Sequence, residues 1–254
     1  MQYISDNKQN LTPILDLCRH AIPYLDGKFE SDEMTLINNT SDINELESSA
    51  DWLIGNDRDR LTIQALRNDL EGEFPKAGHA YFIARSWQLL CWQPINIAFI
   101  SIYGLKQLPD FSSFKQQRQH NSIFGFTFKS NAIATGEVEQ LIPLASAQLQ
   151  PLFEHYRVQL DSLWRCRPGY VQRFIVDWIL SNLLKVRHLL PEFNDQNILD
   201  HARLWVKGMG LPEKHIKSSL VIKEQSPISH IRSSCCLAYK VNDRLCSNCP
   251  KLHK

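Results

Sequence analysis

The chain has 254 residues, of which 43% are hydrophobic, and its 28 Lys and Arg stand against 27 Asp and Glu for a net charge of +1. That length can bury a sizeable core, as one large domain or as a domain with a small appended module, and the composition is that of an ordinary soluble protein. A near-neutral balance with no basic module interleaved with stacking aromatics argues against nucleic-acid binding. Residues 1–10 are polar and carry Asp6 and Lys8, so no secretory leader is expected. The expected location is the cytoplasm, with at most a loose association with the inner face of the membrane.

Thr12 and Pro13 predict a helix start, with Ile14, Leu15, Leu17, Cys18 and Ile22 as its apolar face. Asp42 and Glu45 resemble a capping box leading into a second helix through Leu46, Ala50, Trp52 and Leu53. Residues 57–71 place Leu61, Leu66 and Leu70 near helical spacing, with Gly72 and Pro75 to end the run. A long apolar stretch from His79 predicts the main buried helix, bent at Pro94 and finished by Gly104. Within it, residues 86–105 carry no charge and reach the length of a membrane span. Gln88, Gln93, Pro94, Asn96 and Ser101 favour a buried helix over a span, so the protein is not expected to cross a membrane.

Residues 106–121 are polar and read as a loop. Phe124, Phe126 and Phe128 alternate and predict a strand with all three rings on one face, paired through a turn at Ser130 and Asn131 with a second strand over 138–142. Leu149, Leu152, Phe153, Tyr156, Leu160, Leu163 and Trp164 then follow the helical period, with Pro151 kinking or starting that helix. Pro168 opens the next, containing Phe174, Ile175, Trp178, Ile179 and Leu183. Asn194 or Asp195 caps a third that stops at Gly208. Residues 211–234 show little periodicity and read as a connector. The predicted class is α+β: a mostly helical body (residues 1–210) wrapped around a small antiparallel sheet, followed by a connector and cysteine segment (211–254) packed on that body.

Four of the seven cysteines, Cys235, Cys236, Cys246 and Cys249, fall within the last twenty residues, whereas Cys18, Cys91 and Cys166 are scattered and read as plain buried residues. In a reducing compartment such a group is metal-binding or redox-active rather than a disulfide framework. Four thiolates complete the ligand set of a tetrahedral zinc or of an iron–sulfur cluster. Asn242 and Asp243, midway along the nine residues between Cys236 and Cys246, predict a tight hairpin that returns Cys246 to the vicinal pair. Adjacent cysteines converge on one metal only through a sharp bend, which weakens the mononuclear zinc reading. Residues 201–254 carry ten Lys and Arg against Glu213, Glu224 and Asp243, so the cysteine end is the basic end. His215, His230 and His253 lie nearby, and a Rieske-type histidine ligand is the minor alternative to a four-cysteine set.

The run from Arg232 through Ser234, Cys235, Cys236, Leu237, Tyr239 and Lys240, followed by Cys246, Cys249 and Pro250, resembles the terminal signature of the FhuF-type ferric-siderophore reductases. The resemblance extends more weakly to the apolar stretch with Trp87, Trp92 and Pro94. It implies a helix-wrapped sheet and a [2Fe–2S] cluster held by Cys235, Cys236, Cys246 and Cys249. It implies, too, an iron–sulfur oxidoreductase that gives one electron to an Fe(III)-siderophore and releases Fe(II). Members of that family usually place ten residues between the second and third cysteines, and this chain has nine, so the turn is where it departs from them. Arg232, Lys240, Arg244 and Lys251 surround the motif and would favour the reduced cluster, an anionic siderophore or an acidic donor. No nucleotide fingerprint accompanies the motif, so a ferredoxin, a flavodoxin or a flavoenzyme is the expected electron source. No group of the chain is singled out as an acid, base or nucleophile. The alternative function is a zinc-stabilised, non-enzymatic binding protein.

Overall fold

A computed structural model describes residues 10–30, 51–223 and 226–253. Of the helix predicted from Asp42 through Leu53, residues 42–50 lie outside them, and Trp52 and Leu53 form a strand instead. In chain order the elements are α1 (Thr12–Ala21), β1 (Gly27–Phe29), β2 (Trp52–Leu53), α2 (Asp59–Glu73), α3 (His79–Leu105) and β3 (Gln107–Pro109). Then come β4 (Phe114–Gln119), β5 (Ser122–Phe128), β6 (Ile133–Thr135), α4 (Val138–Leu163), α5 (Pro168–Leu189) and α6 (Asp195–Gly208). The C-terminal part adds α7 (Lys214–Ser219), β7 (Leu220–Lys223), β8 (Ser226–His230) and α8 (Tyr239–Asn242). The architecture is α+β.

Helix α3 is buried over most of its length because it is apolar all round, and it packs against α1, α2, α4, α5 and the sheet. Pro94 lies inside it and has no N–H to donate to the carbonyl of Leu90 four residues back. That carbonyl accepts instead from the Gln116 Nε2 of β4 at 2.7 Å, and Gln116 in turn receives the amide of Gln93 at 3.1 Å. The proline thus opens a position that ties the sheet to the central helix. Among the described residues no helix is long and apolar enough to cross a membrane.

The main sheet has the order β1-β5-β4-β2, and the β1–β5 ladder is its one parallel pairing among the described residues. Gly27 sits opposite Phe126, whose ring occupies the space a Cβ would need. Phe111, Phe114, Phe126 and Phe128 pack ring to ring with centroids 5.4 to 5.9 Å apart.

Several predicted elements differ. Residues 106–121 are not a loop but supply β3 and β4, whose polar side chains are used inward, as Gln116 shows. Phe124 does not share the face of Phe126 and Phe128: Gly125 at φ +83° turns the strand, so Ile123 is buried and Phe124 is exposed. Residues 138–142 begin helix α4, capped by Glu137 and Gln140, so β5 pairs with β1 and β4 instead. Pro151 lies inside α4. The connector 211–234 contains α7 and the antiparallel hairpin β7–β8, which packs on α5.

Candidate metal centre

Helix α5 places Asp177 on its buried face, 1% exposed. Its Oδ1 accepts the amide of Ser233 at 2.9 Å and the hydroxyl of Ser219 at 3.1 Å, while Oδ2 accepts the amide of Ser234 at 3.0 Å. His230 Nε2 stands 3.3 Å from Oδ1, and the Arg232 guanidinium is 4.0 Å from Oδ2. The other ring nitrogen of His230 faces the Ser181 hydroxyl at 3.1 Å and the Asn248 amide nitrogen at 3.4 Å. An Nε2–H tautomer satisfies all three neighbours, donating to the carboxylate and accepting on Nδ1. One buried carboxylate therefore fixes the backbone that delivers the vicinal cysteines.

Two turns then gather the thiols. Leu237 takes φ +60°, a left-handed conformation a leucine adopts only under constraint, and its amide points back at the Cys235 thiol. The predicted hairpin is not formed: the nine-residue interval folds as the helical turn α8, ended by Asp243 at φ +55°. The carbonyl of Cys246 accepts the amide of Cys249 at 3.0 Å, and the amide of Arg232 donates to the carbonyl of Asn248 at 3.0 Å. That last bond joins the two halves of the motif.

The result is two touching pairs: Cys235 and Cys249 with Sγ atoms 3.8 Å apart, and Cys236 with Cys246 at 3.5 Å. Each pair joins a buried sulfur, Cys249 or Cys236, to a partly exposed one, Cys235 or Cys246. Burial and the neighbouring thiol raise Cys235 above its ordinary value, and burial and Cys236 do the same to Cys246, with Arg232 acting in the opposite direction on Cys246. Among the described residues no three His, Cys, Asp or Glu side chains converge on one ion. A tetrahedral zinc draws four sulfurs to one point, whereas a binuclear cluster takes two at each metal. The donor chemistry and the two-pair arrangement fit a [2Fe–2S] group.

Of the basic residues expected around the motif, Arg232 lies over the Phe174 ring, 5.8 Å from its centroid, beside Asp177. Lys251 caps Tyr239, whose phenol it contacts at 2.5 Å, and feels the charges of Cys235 and Cys249. Lys240 donates to the Ala77 carbonyl at 2.9 Å, tying α8 to the loop before α3. The exposed Arg244 makes a backbone bond to the Asn242 side chain. His230 is committed to Asp177, His215 is a buried residue of α7, and the exposed His253 faces the Ser247 carbonyl at 3.3 Å. Sequence reasoning missed Asp177, which looks like any other residue in an amphipathic helix. The only available hint was an acid placed among buried positions.

An α+β body that gathers two thiol pairs, in a cradle built on a buried carboxylate, has the donor set of an iron–sulfur protein. Residues 232–251 match the family model described as the FhuF 2Fe-2S C-terminal domain, twenty of the 254 residues. The chain is in that sense FhuF-like and carries a [2Fe–2S] cluster. No solved structure matches it.

Proposed function

We propose that the protein is a ferric-siderophore reductase of the cytoplasm, with Cys235, Cys236, Cys246 and Cys249 as cluster ligands. The pairing of the thiols carries this reading: Cys235 and Cys249 would hold one iron and Cys236 and Cys246 the other. A [2Fe–2S] cluster supplies reversible one-electron chemistry. The buried Cys236 and Cys249 would hold it against the body, and the partly exposed Cys235 and Cys246 would leave it open to a bulky chelate or a donor protein. One electron delivered to chelated Fe(III) yields Fe(II), which the hard oxygen donors of a siderophore hold far less tightly, so the metal is released. The electron is replaced by a ferredoxin, a flavodoxin or a flavoenzyme. Arg232 and Lys251 place positive charge against the thiolates, which favours the reduced state and raises the potential.

Anaerobically purified protein should be coloured, give an EPR signal after dithionite, and on mixing with a ferric siderophore release Fe(II) to a ferrous-specific chelator. Colourless protein with stoichiometric zinc and no such signal would establish the zinc-stabilised binding protein instead.

A further inference from the structure

Beside Cys235 the surface is hollowed to about 480 Å³, and the wall of the hollow carries Arg165, Arg167 and Arg173 with the phenol of Tyr170. None of the three exposed guanidiniums has a hydrogen-bond or ion-pair partner among the described residues, and no Asp or Glu lines the hollow. Arg19 and Arg203, also exposed, are paired with Asp16 and Asp26 and with Asp200 and Glu213, whereas Arg58, Arg60 and Arg244 have no side-chain partner among the described residues; what sets the three arginines apart is that they gather on one hollow. Arg167 is the N-cap residue of the 22-residue helix α5 and Tyr170 lies in its first turn, so the N-terminal end of that helix adds positive potential in the same place. Across Ser233 a second hollow of about 550 Å³ continues the basic character with Arg173, Lys214 and Arg232, and Nη2 of Arg232 is buried without a partner.

We infer that the hollow formed by Arg165, Arg167, Arg173 and Tyr170 is a binding site for an anionic metal chelate, held with Cys235 at its floor. The inference rests on the reductase reading and narrows its substrates to negatively charged complexes, such as tris-catecholates, over neutral tris-hydroxamates. The volume lies in the range of small-ligand sites, roughly 300–1,000 Å³. Planar guanidiniums present forked donors to catecholate or carboxylate oxygens, and three of them without local carboxylates leave their charge available to a trianion. A chelate seated there would lie against the exposed sulfur of the Cys235–Cys249 pair.

The test uses redox-inert gallium(III) complexes, so that binding is read apart from electron transfer, by equilibrium dialysis against the purified full chain with its cluster. Gallium tris-catecholate should bind, weaken as salt is raised, and weaken about tenfold or more in the R165Q/R167Q/R173Q variant, while the neutral gallium tris-hydroxamate should bind far less. Equal binding of the two complexes, or undiminished tris-catecholate binding by a variant with unchanged melting and iron content, would overturn the inference. Gallium binding retained by the variant together with lost reduction by reduced flavodoxin would assign the arginines to the donor and overturn it as well. Selective tris-catecholate binding by a protein that reduces no ferric complex would uphold this site and remove the reductase reading. Rapid reduction of neutral hydroxamates without tris-catecholate binding would do the reverse.

Discussion

The Asp177 carboxylate accepts the backbone amide of Ser234 at 3.0 Å, one residue before the first of the vicinal cysteines. The carboxylate is buried and its oxygens are shared among two amides, two hydroxyls, His230 and Arg232. A buried anion is tolerable only with such a set of donors, and the same donors are left unpaired when it is removed. Asp177→Ala should therefore cost on the order of 3–5 kcal/mol, read as a lower urea midpoint. Iron content should fall with it, because the lost bonds hold the backbone leading to Cys235. Asp177→Asn retains the shape and an acceptor oxygen, and should lose less on both measures.

Cys246 is the sulfur that α8 swings back to Cys236. Its replacement by Ser removes one thiolate from a partly buried side chain at the margin of the main core. Cys246→Ser should lose the visible absorption of the cluster and its EPR signal, with far-UV circular dichroism of the helical body unchanged. Cys91→Ala is the control, since Cys91 is fully buried in α3 and burial holds its thiol well above the ordinary value. It should keep the cluster and lose stability alone.

What could be read from the sequence was decided by local signals. The cysteine spacing, the length of α3 and the ends of α5 and α6 at Pro168 and Gly208 are encoded within a few residues of themselves. Trp52 and Leu53 become a strand because Gln116 and Gln117 of β4 lie opposite them, a partner more than sixty residues away. Polar β4 looked like a loop because its buried Gln116 answers a carbonyl freed by Pro94 in another element. The hairpin expected between Cys236 and Cys246 rested on the turn preference of Asn242 and Asp243. That preference is met by Asp243 in a left-handed conformation, but at the end of a helical turn. The three arginines of the hollow are separated in sequence from the motif they flank, and only the packing of α5 beneath residues 232–235 reveals them.

His201 gives a pH signature independent of the cluster. Its ring lies among Tyr103, Phe193 and Glu139, with Nδ1 2.9 Å from the Tyr103 hydroxyl and Nε2 3.2 Å from Glu139. Burial lowers it below its ordinary 6.5, and the pull of Glu139 and Asp200 only partly opposes that. The unfolded chain therefore binds a proton that the folded chain resists, so this contribution to stability is complete above pH 6.5 and declines as pH falls through that value. Urea midpoints across this range should fall toward acid, and His201→Gln should flatten the slope. An unchanged slope in the variant would place the titrating group elsewhere.

Gln116 and Pro94 offer the sharpest energetic test of the fold beneath the site. Gln116 is fully buried, donates to the Leu90 carbonyl at 2.7 Å and to the Tyr156 hydroxyl at 3.0 Å, and accepts from Gln93. Gln116→Leu keeps the volume and strands these partners, so a loss of about 2–4 kcal/mol is expected. Pro94→Ala would restore a helix N–H to the Leu90 carbonyl, the largest single debt that Gln116 meets. In that background Gln116→Leu should cost less, with a coupling of about 1 kcal/mol in a double-mutant cycle. Additive losses would mean that the proline and the glutamine act independently, and that the sheet is held to α3 by the Gln93 and Tyr156 contacts alone.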